Sequence, residues 1–163
     1  MPRLVLGAEV AWVPNLADWP ELPQLCMGRG RHLLLELPMN PWNEQMFRQL
    51  YDLMGRTGLT PVIAHIERYM KMQKPEHIKE VLSLGVPVQV SSEPLLHPLN
   101  RGRVLKLLRE RQAQLIASDC HNTTSRPPNL GPAMEIVKKK LGKASAALSH
   151  QSDWLLPAEH IAE

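Results

Sequence analysis

The chain of 163 residues is 44% hydrophobic and 21% charged, the proportions of one ordinary globular domain rather than of a disordered, collagenous or coiled-coil chain. Its formal charge of +3 comes from basic residues that are scattered except at Lys138, Lys139 and Lys140, and with so few aromatic residues the balance does not point to nucleic acid. No apolar run approaches the roughly 20 residues of a membrane helix, and two cysteines, Cys26 and Cys120, exclude a disulfide framework, so a cytoplasmic protein without membrane insertion is expected.

In chain order, short apolar runs alternate with segments of helical period, which predicts parallel strands joined by helices. The first strand is expected over 4–12 and the second over 32–37. A helix follows, capped by Asn43 and carrying Met46, Phe47, Leu50, Tyr51 and Met54 on one stripe before Gly55 and Gly58 end it. After a third strand over 60–65, Pro75 opens a second helix that turns Ile78, Val81 and Leu82 inward and stops at Gly85. A fourth strand over 86–91 leads to a helix over about 100–111. A fifth strand over 114–118 precedes a helix that starts at Pro132, buries Met134, Ile136, Val137 and Leu141, and ends at Gly142. One short helix and a loose tail are expected from Lys143 onward, within a single domain spanning the chain.

Parallel sheets place their chemistry at the carboxyl ends of the strands. Glu9 lies inside the first predicted strand, Glu36 near the end of the second, His65 at the end of the third, and Asp119 and His121 just past the fifth. Side chains two apart in a strand share a face, so Asp119 and His121 are expected to point the same way. Carboxylates with imidazole and no thiolate suit manganese, iron or zinc rather than a structural zinc site. Glu36 is the sharpest case, because Leu33, Leu34, Leu35 and Leu37 surround it and a carboxylate in an apolar strand needs a neutralising partner. Arg68, three residues after His65, and Arg126, five after His121, can each reach an anionic oxygen held at such a site. His32, His77, His97, His150 and His160 read as surface or loop residues.

Three segments in order, Leu34 to Pro38, Pro61 to Tyr69, and Ala117 to Asn122 followed by Arg126, Pro127 and Pro128, resemble the bacterial manganese-dependent tyrosine phosphatases of the CpsB and YwqE type, within the polymerase and histidinol phosphatase superfamily. The likeness runs from about residue 4 to 141. It implies an α/β fold, a distorted β/α barrel, with two or three Mn2+ ions at the carboxyl ends of its strands. It further implies Glu9 as a metal-bridging carboxylate, Glu36 and His65 as ligands of one metal, Asp119 of a second and His121 of a third, with Arg68 and Arg126 holding phosphate. The implied reaction is hydrolysis of phosphotyrosine in a protein substrate, a bacterial tyrosine autokinase, in the regulation of capsule and exopolysaccharide synthesis.

The family's Asp-x-His-x-His strand is not found in this sequence, so the chain is expected to correspond to an amino-terminally truncated barrel. A non-catalytic remnant that binds a metal or a partner is therefore an alternative reading. Another is a cysteine phosphatase, since Cys120 and Arg126 fit the bare Cys-x5-Arg spacing. Against it, no glycine lies between them, and Pro127 and Pro128 follow where a helix is needed.

Overall fold

The computed structural model describes residues 4–148 and Leu155. Strands β1 (Glu9–Ala11), β2 (His32–Glu36) and β3 (Thr60–Ile63) form one parallel sheet, and β4 (Gln89–Ser91) and β5 (Leu115–Ala117) a second. A single parallel bridge between Ile63 and Val88 joins the two, so the five strands follow one another in sequence order. Among the described residues the strands do not close into a barrel.

Five strands are where the apolar runs place them, and all five are shorter than expected. Residues 4–8 precede β1 as irregular chain, because Ala8 donates its amide to the Leu25 carbonyl and Leu6 accepts from Gly28, a loop contact that replaces ladder pairing. Three 3-10 turns, Leu16–Asp18, Leu22–Leu25 and Met27–Arg29, fill the connection to β2.

Helix α1 (Glu44–Thr57) starts at Asn43, whose side chain accepts from the Met46 amide at 2.9 Å, and passes through Gly55 to end at Gly58. Gly58 has φ 64, the left-handed conformation that glycine adopts without a Cβ clash. The inward stripe is Met46, Phe47, Leu50 and Leu53; Tyr51 is about half exposed and corrects the expected face. Helix α3 (Pro75–Leu82) has the proline-first start that was expected, with Ile78 and Val81 buried. Helix α5 (Pro98–Arg109) begins two residues before the predicted Asn100, because proline is well suited to a first turn. Helix α6 (Leu130–Leu141) likewise begins before Pro132, and it buries Ala133 and Val137 while Met134, Ile136 and Leu141 are half-buried. Two four-residue helices escaped the periodicity argument, α2 (Ile66–Tyr69) and α4 (Glu93–Leu96). A single turn is too short to show a 3.6-residue period.

The carboxyl-terminal helix expected after Lys143 is a 3-10 segment, Gly142–Leu148; the tail beyond it, with His150 and His160, lies outside the described residues. His77 is half-buried with its ring 5.4 Å from Phe47, and His32 is half-buried with Nδ1 3.0 Å from the Leu155 carbonyl, so neither is a plain surface residue.

The core follows from strand alternation. Val10, Leu33, Leu35, Ile63, Val88 and Val90 join Leu50, Leu53, Val81, Val104, Leu107 and Val137 of the helices in one continuous apolar cluster. The other face of the strands carries a small separate cluster, Val62, Leu115 and Leu155 with Leu34. The register pairs Glu9 with Leu34 and Ala11 with Glu36, so Glu9 and Glu36 belong to that second, thinly covered face.

Candidate metal centre and arginine clamp

Strand alternation alone would send His65 to the helix side, with Pro61 and Ile63. The chain instead turns at His65 into the left-handed region, φ 30 and ψ 54, and that turn starts α2. The imidazole is 2% exposed and its Nε2 lies 2.9 Å from Glu9 Oε1 and 3.2 Å from Glu36 Oε1. Ligand atoms of all three side chains fall within 4.8 Å of one another. Tyr69, one turn further along α2, packs its ring 5.6 Å from the imidazole. Burial, and next the nearby Glu36 carboxylate, push the Tyr69 phenol well above its ordinary pKa, so it stays neutral against the imidazole.

Two carboxylates therefore converge on one imidazole, which can balance at most one negative charge, and both are about a third exposed. No Lys or Arg pairs with either carboxylate among the described residues. The donor set, two oxygens and one nitrogen open to solvent on one side, fits a hard or borderline divalent ion and no structural thiolate site.

One helical turn after His65, Arg68 donates to Asp119 Oδ2, and Arg126 donates to the same oxygen. Asp119 has a 10% exposed side chain and sits just past β5 with φ 52. Burial raises its pKa, but the Arg68 guanidinium and then that of Arg126 outweigh this and hold the carboxyl below its usual value. The two arginines, from α2 and from the loop after β5, thus converge on one anionic oxygen. Arg68 and Asp119 line a cavity of about 600 Å3 together with Arg126.

The strand alternation argued for Asp119 and His121 does not extend that far, because β5 ends at Ala117. A turn brings the two together instead: His121 Nδ1 lies 2.9 Å from the Asp119 carbonyl oxygen and 3.7 Å from Oδ1, with the side chain about half exposed. Nδ1–H donation to that carbonyl leaves the Nε2 lone pair free. His121 and Asp119 are not among the three side chains whose ligand atoms cluster within 4.8 Å.

The organiser of the loop from Asp119 to Arg126 is Asn122, a role that the spacing of Cys120 and Arg126 does not indicate. Asn122 Oδ1 accepts from the amides of Thr124, Ser125 and Arg126 at 2.9, 2.8 and 3.0 Å, an Asx turn that Asn122 before Thr and Ser could have signalled. Those amides are the ones a Cys-x5-Arg phosphate cradle would need. Cys120 itself is exposed, with Sγ 3.5 Å from the Asn122 carbonyl. The cysteine phosphatase reading loses its oxyanion donors here.

Residues 2–151 match the capsular polysaccharide synthesis family CpsB/CapC. The tyrosine-protein phosphatase CpsB of Streptococcus pneumoniae is 29% identical over 153 residues, covering 88% of this chain and 63% of that protein. The tyrosine-protein phosphatase YwqE of Bacillus subtilis (strain 168) is 30% identical over 125 residues, covering 72% of this chain and 48% of that protein. One chain from the crystal structures of YwqE from B. subtilis and CpsB from S. pneumoniae, metal-dependent tyrosine phosphatases, matches with a TM-score of 0.74 at 23% identity over 92% of this chain and 63% of that chain. The chain thus spans somewhat less than two thirds of the length of these relatives.

Proposed function

Because this chain belongs to the capsular polysaccharide synthesis family CpsB/CapC, we propose that it carries the metal and phosphate side chains of a metal-dependent protein-tyrosine phosphatase. The observation that supports this most is the pairing of two centres one helical turn apart: two carboxylates and an imidazole at His65, and two guanidiniums at Arg68 and Arg126. In this reading the five strands are an arc of the family's distorted barrel, and the ion is manganese.

Glu9, Glu36 and His65 hold a divalent ion; Asp119 and the free Nε2 of His121 offer further donors. When bound, the ion supplies Lewis-acid polarisation of a phosphoryl oxygen and lowers the pKa of a water molecule. Arg68 and Arg126 bind the remaining phosphoryl oxygens through paired N–H donors and stabilise charge that grows on them during P–O cleavage. Asp119 holds both guanidiniums in one place before substrate arrives, so little reorganisation is needed at the moment of reaction. The substrate in this reading is phosphotyrosine of a bacterial tyrosine autokinase, met by this chain in the cytoplasm, and the outcome is control of capsule or exopolysaccharide synthesis.

The test is manganese content of the desalted chain with phosphotyrosine-peptide hydrolysis on the same sample. Bound ion with chelator-sensitive turnover supports the reading. Bound ion without turnover favours a metal-binding remnant, and neither ion nor turnover rejects the phosphatase reading for this chain.

A further inference from the structure

The cavity beside the arginine clamp continues past Arg68 and Arg126 to two further cations, Lys71 in the turn after α2 and Arg103 on α5. From this we infer that Lys71 and Arg103 form an anion subsite that selects phosphotyrosine peptides with an acidic residue adjacent to the phosphotyrosine. The inference rests on the phosphotyrosine reading above and names a substrate class within it.

Charge balance carries the argument. The cavity wall carries four cations, Arg68, Lys71, Arg103 and Arg126, against three carboxylates. Of these, Asp119 is committed to Arg68 and Arg126, and Glu93 hydrogen-bonds the neutral or charged His97 ring at 2.7 Å. Glu67 is 9% exposed, its Oε1 accepts from the Ser91 amide at 3.3 Å, and its Oε2 is out of solvent contact. Its charge is thus turned into the wall rather than offered to the opening. Lys71 and Arg103 are exposed, and neither side chain makes a hydrogen bond or ion pair among the described residues. Arg103 has no carboxylate on its own helix face, where its neighbours three and four residues away are Asn100, Lys106, Leu99 and Leu107. Two unpaired cations from separate elements therefore line the space next to the clamp.

Size points to a peptide rather than a bare phosphate. About 600 Å3 is the range of sites that enclose a drug-sized molecule, far more than one phosphoryl group fills. Pro94 and the fully exposed Leu99 add apolar wall. A phosphotyrosine held at the clamp leaves room for its neighbouring side chains, and a carboxylate there meets both cations.

Manganese-loaded wild type and K71A/R103A protein are titrated into two fluorescent peptides in which a difluorophosphonate replaces the phosphate ester, one flanked by Glu and one by Gln. Wild type is expected to bind the Glu peptide about fivefold tighter at low salt, a preference that shrinks at about 0.5 M salt. The double variant should bind both peptides as wild type binds the Gln peptide, and K71E/R103E should reverse the preference. Both side chains are exposed, and an unchanged urea midpoint verifies folding. Equal binding of the two peptides by wild type, or a preference that survives in K71A/R103A, overturns the subsite and leaves the phosphotyrosine reading standing. If wild type binds neither peptide and does not hydrolyse p-nitrophenyl phosphate, the phosphotyrosine reading fails and the subsite with it.

Discussion

Glu9 Oε1 and His65 Nε2 stand 2.9 Å apart although 56 positions separate them in the chain. Three parallel strands make that approach possible, since β1 and β3 flank β2 and Glu36 occupies the end of the strand between them. The left-handed turn at His65 completes it by aiming the imidazole back across the sheet.

Glu36→Gln keeps the shape of the side chain and removes one of the two charges facing His65. Manganese affinity should fall by about 100-fold, at or beyond what loss of an outer-shell partner costs. In chelator the same variant should be as stable as wild type or more stable, because a like-charge contact is relieved. Calorimetric titration with manganese and urea unfolding of the chelated protein measure the two effects. Unchanged manganese affinity would remove Glu36 from the centre.

Arg126→Lys retains a positive charge and loses the planar fork. Hydrolysis of p-nitrophenyl phosphate by manganese-loaded protein should drop about 100-fold in kcat/KM, with little change in manganese content. The Arg68→Lys variant should behave alike, since both guanidiniums meet the same Asp119 oxygen. Wild-type kinetics in either variant would show that the clamp does not touch phosphate.

Gln73 ties down the loop between Glu36 and α1. It is 7% exposed; its Oε1 accepts from the Trp42 amide at 2.8 Å, and its Nε2 donates to the carbonyls of Asn40 and Met39 at 3.0 and 3.3 Å. Gln73→Ala leaves the buried Trp42 amide unpaired and removes two partly buried contacts to the exposed Met39 and Asn40, and should cost about 1 to 3 kcal/mol, read as a shift in the urea midpoint. A shift under about 0.5 kcal/mol, typical of a surface change, would mean that water or a rearranged loop replaces the side chain.

The two cysteines should separate cleanly by reactivity. Cys26 is buried and burial pushes its thiol pKa up, whereas Cys120 is exposed. One thiol per native chain should react quickly with a disulfide reagent near pH 8, and two after unfolding. The raised pKa also sets a sign: the stabilisation from a neutral Cys26 is full below its ordinary value of 9.0 and is lost as pH rises through the folded-state pKa. Two fast thiols in the native chain would contradict the packing around Cys26.

Much of this arrangement is legible in the sequence, for reasons that differ by element. Asn43 before Glu44, Pro75 at a first turn and Gly58 after Thr57 are local signals, because caps and turns are satisfied by residues within one turn of chain. The short helix α4 has Pro94 in its first turn as a comparable signal, but Ser92 makes no capping hydrogen bond and a single turn shows no periodicity. The shortening of β1 carried none, since it depends on the contacts of Ala8 and Leu6 with residues some twenty positions away.

By itself the sequence determined the alternation of strands and helices, the apolar faces, and the residue types able to hold a divalent ion and a phosphoryl group. These depend on hydrophobic period and on the chemistry of each side chain, both readable position by position. Only the tertiary structure decided which of those residues meet. His65 joins Glu9 and Glu36, while Asp119 goes to Arg68 and Arg126 and His121 turns onto the Asp119 backbone. The physical reason lies in backbone turns at the strand ends, φ 30 at His65 and φ 52 at Asp119. A non-glycine residue holds that conformation only when the surrounding packing compensates its strain, and that packing is made by segments far apart in the chain.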